Sequence, residues 1–337
     1  MDLKVLIVFG FFIVFVESNL TFKNWLLKYN LNYRTNSPEF NRERKQSFDV
    51  SVAFVTVNKL KYNFEYELGL NGFADVPFQQ FQNSFNGLIL PSDPSQRGSL
   101  ITYKNFTQIL PNLVGITPAA PASVDYRNYS LPVLNQKLCN SCWAFSTLSA
   151  IESKLMMKNS SFKTPLSAQS IVDCDTVNLG CSGGWPTKAF NWILQNNGNG
   201  VPSADAYPYY GYQMKCRNVP KIPVNLKAVI QDYTNGDEVK MKDIVANSGP
   251  IVVAFHVTSY FQLYSDGIFY DPTCNTKCSV VNHAIVIVGY GTDPVTKNDY
   301  WIIKNSWGTS WGKNGYGFIA RNKGNQCNIA CWAIYTT

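Results

Sequence analysis

Nine cysteines, all between Cys139 and Cys331, are the feature that most constrains this 337-residue chain. The residues before 139 contain none, so the two parts of the chain rely on different means of stabilisation. Nine is an odd number, and one thiol is therefore left over if the other eight pair. The chain has only two histidines, His256 and His283, so any cysteine–histidine chemistry must use one of these two.

Residues 1–18 are typical of a secretory signal peptide. Lys4 precedes an apolar run over residues 5–16, and polar residues follow it. The run is too short for an ordinary membrane-spanning helix, although a short membrane anchor is the alternative interpretation. Export leads to an oxidising compartment, which favours disulfides over a zinc site for the remaining cysteines. We therefore expect a secretory-pathway protein, lysosomal or extracellular, with no membrane span and no bound metal.

Composition excludes several classes of protein. Aromatic residues make up 14% of the chain, which is too rich for a disordered one. The net charge is +7, but the basic residues are scattered singly, so a nucleic-acid partner is not expected. Four N-x-[ST] sequons are glycosylation candidates, and they begin at Asn19, Asn105, Asn128 and Asn159.

Proline and glycine are frequent over residues 111–121, which predicts a junction between two regions. Before it, helical spacing of apolar residues predicts a helix around residues 22–29. Residues 40–57 fit a helix by spacing, but their Val-rich half partly alternates as in a strand, so periodicity leaves both open.

After the junction, the pattern is helical first and β-rich later. A helix is predicted over residues 142–158, and strands are predicted over residues 251–257, 283–288, 300–304 and 316–321. Such a chain can form two lobes with a cleft between them.

Cys142 is predicted to open a helix, where unpaired N–H groups lower the pKa of a thiol toward the thiolate. A thiolate nucleophile needs a partner base. His283 stands at the start of an apolar strand, 141 residues further on, and is the better partner. His256 is flanked by apolar residues and is interpreted as a structural histidine.

Five segments resemble the motifs of one family, in its order along the chain. Residues 139–146 (CNSCWAFS), 282–291, 304–312 and 181–184 are similar to the nucleophile, histidine, asparagine and substrate-binding motifs of papain-like cysteine peptidases. Residues 69–75 resemble a motif of the inhibitory propeptide of the cathepsin L-like group.

The resemblance implies an α+β, papain-like two-lobed fold. The N-terminal lobe would be helical and the C-terminal lobe β-barrel-like, with the active-site cleft between them and an α-rich propeptide in front. The implied divisions are a signal peptide at 1–18, an inhibitory propeptide at 19–118 and a peptidase domain at 119–337.

By the same resemblance, Cys142 attacks the peptide carbonyl and forms a thioester acyl-enzyme. His283 pairs with Cys142 as an imidazolium and transfers protons. Asn305 accepts the other ring N–H of His283, and Gln136 donates to the oxyanion. The function implied is a cysteine endopeptidase made as a zymogen, and the alternative is a catalytically silent relative that acts as a secreted binding protein.

The resemblance also implies a set of substrate-binding residues: Gly183, Gly184, Trp185, Pro186, Ala254, Asn282, Ala284, Trp307 and Trp332. Trp332 is bulky at the pocket floor, which predicts a shortened apolar pocket that prefers Val or Leu. Protein and peptide substrates, the chain's own propeptide and cystatin-type inhibitors are the expected partners of a monomer that uses no cofactor.

Four disulfides follow from the resemblance. Two are implied directly, Cys139–Cys181 and Cys174–Cys216. Two more are expected between Cys274 and Cys278 on one side and Cys327 and Cys331 on the other, with the pairing left open. Asn140 departs from the family, which usually has glycine at this position, and Asp75 is a candidate for a pH-sensitive propeptide contact.

Overall fold

The computed structural model describes residues 4–9, 12–32, 36–61, 65–103, 119–274 and 277–337. Its first part carries these elements in chain order: β1 (Lys4–Phe9), β2 (Phe12–Glu17), α1 (Ser18–Lys28), α2 (Pro38–Lys61), β3 (Tyr66–Leu68), α3 (Phe78–Phe85) and β4 (Leu100–Tyr103). We call residues 18–103 the N-terminal segment and residues 119–337 the C-terminal unit.

The C-terminal unit begins with helices and ends with strands. Its first half contains β5 (Val124–Asp125), α4 (Cys142–Lys158), α5 (Ala168–Cys174), α6 (Pro186–Gln195), β6 (Gly200–Val201) and β7 (Ile222–Pro223). Its second half contains β8 (Ala228–Tyr233), α7 (Glu238–Ser248), β9 (Ile251–Phe255), α8 (Ser259–Gln262), β10 (Tyr264–Phe269), β11 (His283–Thr292), β12 (Asp299–Lys304), β13 (Tyr316–Ala320) and β14 (Trp332–Thr336).

One large sheet organises the molecule. Its strand order is β3-β10-β13-β12-β11-β9-β14-β8-β4, with β5 added to β11, and its pairs are antiparallel except β10 with β13. Both terminal strands, β3 and β4, belong to the N-terminal segment. That segment is thus hydrogen-bonded to both ends of the sheet.

The central strands are buried on both faces because their side chains alternate between two apolar clusters. In β9, Ile251, Val253 and Phe255 face one cluster, while Val252 and Ala254 face the other. Helices α4 and α6 cover the second cluster, and α4 is buried almost all round, which explains its apolar sequence. The first cluster lies beneath α7 and the N-terminal segment.

The structure confirms the helix predicted around residues 22–29 and decides the ambiguity over residues 40–57. That stretch lies within the single helix α2, whose buried face carries Phe48, Val52 and Val55. The predicted helix over residues 142–158 is confirmed as α4. The four predicted strands are β9, β11, β12 and β13, with ends that differ by one to four residues. Together these elements form a papain-like α+β fold.

All nine cysteines lie in the described residues, and eight of them form four disulfides. Cys139–Cys181 and Cys174–Cys216 are the pairs that the resemblance implied. The pairing left open by the sequence is Cys274–Cys327 and Cys278–Cys331. Cys142 is the free thiol.

The described residues contain neither a candidate membrane span nor a candidate metal site. None of the helices in these ranges is long and apolar enough to cross a membrane. Within the same ranges, no group of three or more His, Cys, Asp or Glu side chains could hold a metal ion. The sequon at Asn105 and most of the junction at residues 111–121 lie outside the described residues.

Candidate active site

Cys142 is the first residue of α4 and is fully buried. Its sulfur contacts the backbone N–H groups of Cys142, Trp143 and Ala284. Two of these amides belong to the first turn of α4. The N–H groups of a first turn have no acceptor inside the helix, so they are available to the sulfur. Ala284 follows His283 at the start of β11, so the packing of α4 on β11 brings the thiol beside the histidine.

His283 and Asn305 are hydrogen-bonded, with the ring Nε2 of the histidine 2.9 Å from Oδ1 of the asparagine. That oxygen also accepts the backbone N–H of Ser306 at 2.8 Å, which fixes the orientation of the amide. Nε2 is therefore the protonated nitrogen, and Nδ1 is left to accept a proton. Trp307 stacks on the imidazole, with ring centroids 4.5 Å apart, and excludes water from this contact.

Burial sets the protonation state of the pair. It raises the pKa of the Cys142 thiol to about 12, although the three backbone N–H groups act in the opposite direction. It lowers the pKa of His283 to about 4, against the hydrogen bond to Asn305, which raises it. The expected low thiol pKa is thus wrong for this form of the protein, because desolvation outweighs the helix N-terminus. Burial thus favours the neutral form of each group.

Gln136 lies beside Ser306, the residue that follows Asn305, and is fully buried. Its Nε2 donates to the carbonyl oxygens of Cys139 at 3.0 Å and Phe85 at 2.9 Å. Its Oε1 accepts from the hydroxyl of Ser306 at 2.7 Å, which fixes the direction of the amide. Since Trp307 Nε1 also donates to the Phe85 carbonyl, a peptide oxygen of the N-terminal segment occupies this pair of donors.

The N-terminal segment continues through the cleft as an extended backbone. Gly184 forms a parallel bridge with Leu88, donating to the carbonyl of Gly87 and accepting from the N–H of Ile89, both at 2.9 Å. On the opposite wall, the N–H of Leu88 donates to the carbonyl of Asn282 at 3.0 Å. The cleft therefore binds a peptide by its main chain.

Several of the residues predicted to bind substrate contact the N-terminal segment, among them Gly184, Asn282 and Trp307. Gly183 has φ +116°, and a Cβ on it would lie 2.7 Å from the carbonyl oxygen of Gly87, so glycine is required for the close approach. The side chain of Leu88 belongs to an apolar cluster that includes four of the predicted pocket residues, Trp185, Ala254, Ala284 and Trp332. Pro186 begins α6 beside them.

Aromatic packing holds the segment over the site. Phe81 of α3 meets Trp307 edge-on at 4.8 Å, and Phe73 meets it at 6.1 Å. Asn71 is buried, and its Nδ2 donates to the carbonyl of Gln262 at 2.7 Å. The segment is thus joined to the wall that carries Trp307 by both apolar and polar contacts.

Several side chains outside the predicted site also contact the segment, and Asn140 and Gln231 are two of them. Asn140 Nδ2 donates to the carbonyl of Asn83 at 2.7 Å, a contact that glycine cannot make. Gln231 is fully buried in β8 and donates to the carbonyls of Gln96 and Gly98. The departure from the family motif at Asn140 indicates an altered contact at that position. Gln231 lies in an ordinary strand pattern, which does not indicate its contacts.

Other predicted residues lie away from this cleft. His256 follows β9 and is partly buried, and burial lowers its pKa. Asn128 and Asn159 are exposed, as a glycosylation acceptor must be. Asn19 lies in α1.

The fold and the cysteine–histidine site define a cysteine protease. The family model "Papain family cysteine protease" matches residues 120–337. Cathepsin K of Mus musculus is 40% identical over 284 residues, covering 80% of this chain and 78% of its own length. A cathepsin L-like protein of Caenorhabditis elegans is 39% identical over 278 residues, covering 80% and 77%.

Solved structures of precursors are also similar. Digestive procathepsin L2 from the larval midgut of Tenebrio molitor has a TM-score of 0.80 at 35% identity, covering 94% of this chain and 99% of that one. A recombinant stem bromelain precursor has a TM-score of 0.77 at 29% identity, covering 94% and 98%. The chain belongs to the papain family of cysteine proteases.

Proposed function

We propose that the chain is the zymogen of a cysteine endopeptidase, with Cys142, His283, Asn305 and Gln136 as its catalytic residues. One observation carries the proposal: a peptide backbone lies in the cleft, with one of its carbonyl oxygens bound to Gln136. A site that binds a peptide next to a thiol and an imidazole is suited to acyl transfer.

In the active form, the thiolate of Cys142 attacks the scissile carbonyl carbon. The oxygen becomes an oxyanion, which accepts from Gln136 Nε2 and the backbone N–H of Cys142. His283, held by Asn305, protonates the leaving amine, the C–N bond breaks, and a thioester remains. His283 then takes a proton from water, the hydroxide attacks the thioester carbon, and the C–S bond breaks, which releases the carboxylic acid product and returns the thiolate of Cys142 beside the protonated His283.

Residues 19–118 act as the inhibitory propeptide in this proposal. Their backbone fills the cleft, and the Phe85 carbonyl occupies the donor that the oxyanion needs. Cleavage near residues 116–120 would free the peptidase domain, residues 119–337. A signal peptide over residues 1–18 would direct the zymogen into the secretory pathway, to a lysosome or the extracellular space, as a monomer that cystatin-type inhibitors can bind.

An epoxide that alkylates active-site thiolates tests the function. The acid-activated protein should be labelled on Cys142 and should hydrolyse an unfolded protein, and Cys142→Ser should lose both properties. The eight disulfide-bonded cysteines present no thiol to the epoxide, so labelling of the wild-type protein at cysteine reports on Cys142. An activated protein that is neither labelled nor proteolytic would favour the alternative, a secreted binding protein without activity.

The pocket beside Trp332 should prefer modest aliphatic side chains at the second residue before the scissile bond. In the zymogen, Leu88 packs in this cluster, and Trp185 and Trp332 close it edge-on at 5.7 Å. We expect Val and Leu to exceed Phe and Arg in a peptide-library profile of the activated enzyme. Replacing Trp332 by Ala should shift the profile toward Phe, and a wild-type profile dominated by Phe or Arg contradicts the prediction.

A further inference from the structure

A second set of contacts joins the propeptide to the peptidase beyond the catalytic cleft. Gln231 Nε2 donates to the carbonyls of Gln96 and Gly98, both at 2.9 Å. Trp332 Nε1 donates to the carbonyl between them, that of Arg97, at 3.0 Å. Two peptidase side chains thus bind three consecutive peptide oxygens, so the contacts recognise main chain and not side chains.

The donors are fixed in place by the peptidase itself. Gln231 Oε1 accepts from Trp185 Nε1 at 2.7 Å and from Thr187 Oγ1 at 2.6 Å. Because an indole N–H can only donate, the amide oxygen has to face Trp185, and Nε2 has to face the propeptide. The Trp332 ring packs edge-on against Trp185. These donors need no rearrangement to receive a chain.

A sheet edge continues the same site. Propeptide strand β4 pairs antiparallel with β8, with Leu100 opposite Gln231 and Tyr103 opposite Ala228. The other side of β8 is paired with β14. When the propeptide leaves, β8 becomes the last strand of the sheet at this end and presents an unpaired row of N–H and C=O groups, which is suited to the addition of a strand.

We propose that Gln231, Trp332 and the outer edge of β8 form a second chain-binding site in the mature enzyme, here called the β8 site. Its occupant is an unfolded stretch of a protein substrate that precedes the scissile bond. This proposal rests on the proposed endopeptidase function. It deepens that function by naming the substrate class: extended, unfolded proteins long enough to reach from the cleft to β8.

Continuity with the cleft supports this occupant. Three successive parts of the propeptide contact the peptidase. Residues 87–89 contact Gly184, residues 96–98 contact Gln231, and strand β4 then pairs with β8. A substrate that runs the opposite way through the cleft reaches the same surface with its N-terminal side. Main-chain carbonyls are available in either chain direction, and an edge strand can pair with a chain of either direction.

The first test uses a peptide copying residues 94–103, which excludes the part of the propeptide in the cleft. The full chain is activated by acid, and cleavage of a denatured protein is compared with cleavage of a fluorogenic tripeptide. The peptide should inhibit cleavage of the protein and leave tripeptide cleavage unchanged. Inhibition of both substrates would assign the peptide to the cleft and overturn the proposal, as would inhibition of neither.

The second test is Gln231→Glu, assayed at about pH 8 or above, because burial raises the pKa of a carboxyl above its ordinary value. The carboxylate keeps an acceptor for Trp185 and Thr187 but removes the donor to the substrate. The ratio of kcat/KM for the protein to kcat/KM for the tripeptide should fall by about three- to tenfold, the effect of one or two hydrogen bonds. Gln213→Glu, at an exposed position that does not line the cavity around Gln231, is the matched control and should leave the ratio unchanged.

An unchanged ratio in Gln231→Glu overturns the β8 site, provided that tripeptide cleavage is intact. Failure of the proposed function looks different, since the wild-type protein then cleaves neither substrate and is not labelled by the epoxide. A loss of tripeptide cleavage equal to the loss of protein cleavage contradicts the proposal too, because it assigns Gln231 to support of the cleft alone.

Discussion

At the scale of single residues, burial decides the chemistry of this zymogen. Cys142 and His283 are both completely covered, and each holds its neutral form because a charge in that environment lacks solvation. The helix N-terminus and Asn305 favour the charged forms but are outweighed. Exposure of the site to water would therefore lower the pKa of Cys142 and raise the pKa of His283.

Asn140 adds a contact to the inhibited state that a glycine does not offer. Replacing it by Gly removes the 2.7 Å hydrogen bond to the Asn83 carbonyl. We expect the intact zymogen to be alkylated on Cys142 about fivefold faster at neutral pH, the effect of one hydrogen bond. Asn140→Asp keeps the size but removes the donor, and it should behave the same way. If only the glycine variant is faster, backbone flexibility and not the hydrogen bond is the cause.

At the scale of elements, the propeptide is held in the cleft by close contacts between its backbone and the peptidase. Gly87 has φ +101°, and a Cβ on it would lie 2.2 Å from the carbonyl oxygen of Asn140. Both the left-handed conformation and the close approach require glycine. The cleft segment is thus held by main-chain fit between Gly184 and Asn282, and α3 fixes it from one side through Phe81.

Gly87→Ala should displace the cleft segment. We expect labelling of Cys142 in the intact zymogen to rise more than about tenfold, from strain and overlap together. Gly98→Ala is the matched control, because Gly98 has φ −81° and the nearest atom to its added Cβ is 3.9 Å away. Equal labelling in the two variants would show that the close approach at Gly87 does not restrain the propeptide.

At the scale of the whole molecule, two features hold the structure together. The first is one sheet that the propeptide and the peptidase share. The second is a set of four disulfides, all within the peptidase. The first is reversible, since strands β3 and β4 can leave. The second persists after activation. The N-terminal segment contains no cysteine and therefore forms no disulfide with the peptidase.

Acid should weaken the closed zymogen through His283. The pKa of His283 is lowered from 6.5 to about 4 in the closed form. The free energy that favours closure is therefore at its full value above about pH 6.5, and it falls as the pH decreases toward about 4. The loss is at most about 1.4 kcal/mol per pH unit. Hydrogen exchange in α3 of the Cys142→Ser zymogen, corrected for its intrinsic pH dependence, should accelerate over this range.

His283→Gln removes the titrating group and should flatten this response. An equal response in His283→Gln would assign acid sensitivity to carboxyl groups instead, with the buried Asp75 as the first to replace by Asn. Glu152 does not account for faster hydrogen exchange in α3 at low pH. Its raised pKa, about 7, stabilises the fold as the pH falls, and it lies in α4 within the peptidase.

The two C-terminal disulfides should contribute equally by chain entropy, because each closes a loop with a sequence separation of 53. Replacing either pair by Ser should cost about 2–4 kcal/mol and lower the Tm by about 5–15 °C. The two double variants serve as controls for each other in a thermal melt. An unchanged Tm in one of them would mean that its loop is already restrained by other contacts.

The sequence by itself determined the elements with a strong local pattern. The apolar stretch of α4, the alternation and β-branched residues of β9 and β11, and the even number of cysteines left after Cys142 are visible without a structure, because they follow from backbone periodicity and pairing. The motifs around Cys142, His283 and Asn305 also stand out locally. For these reasons the fold and the proposed catalytic residues could be predicted.

Only the tertiary structure decided the rest. Periodicity could not choose helix or strand for residues 48–57, because burial of Phe48 against α1 and of Phe54 against α8 selects the faces that α2 presents. The pairing of Cys274 with Cys327, the raised thiol pKa and the contacts of Gln231 all depend on residues distant in the chain. Local sequence does not encode such contacts, since burial and desolvation arise only when distant parts of the chain pack together.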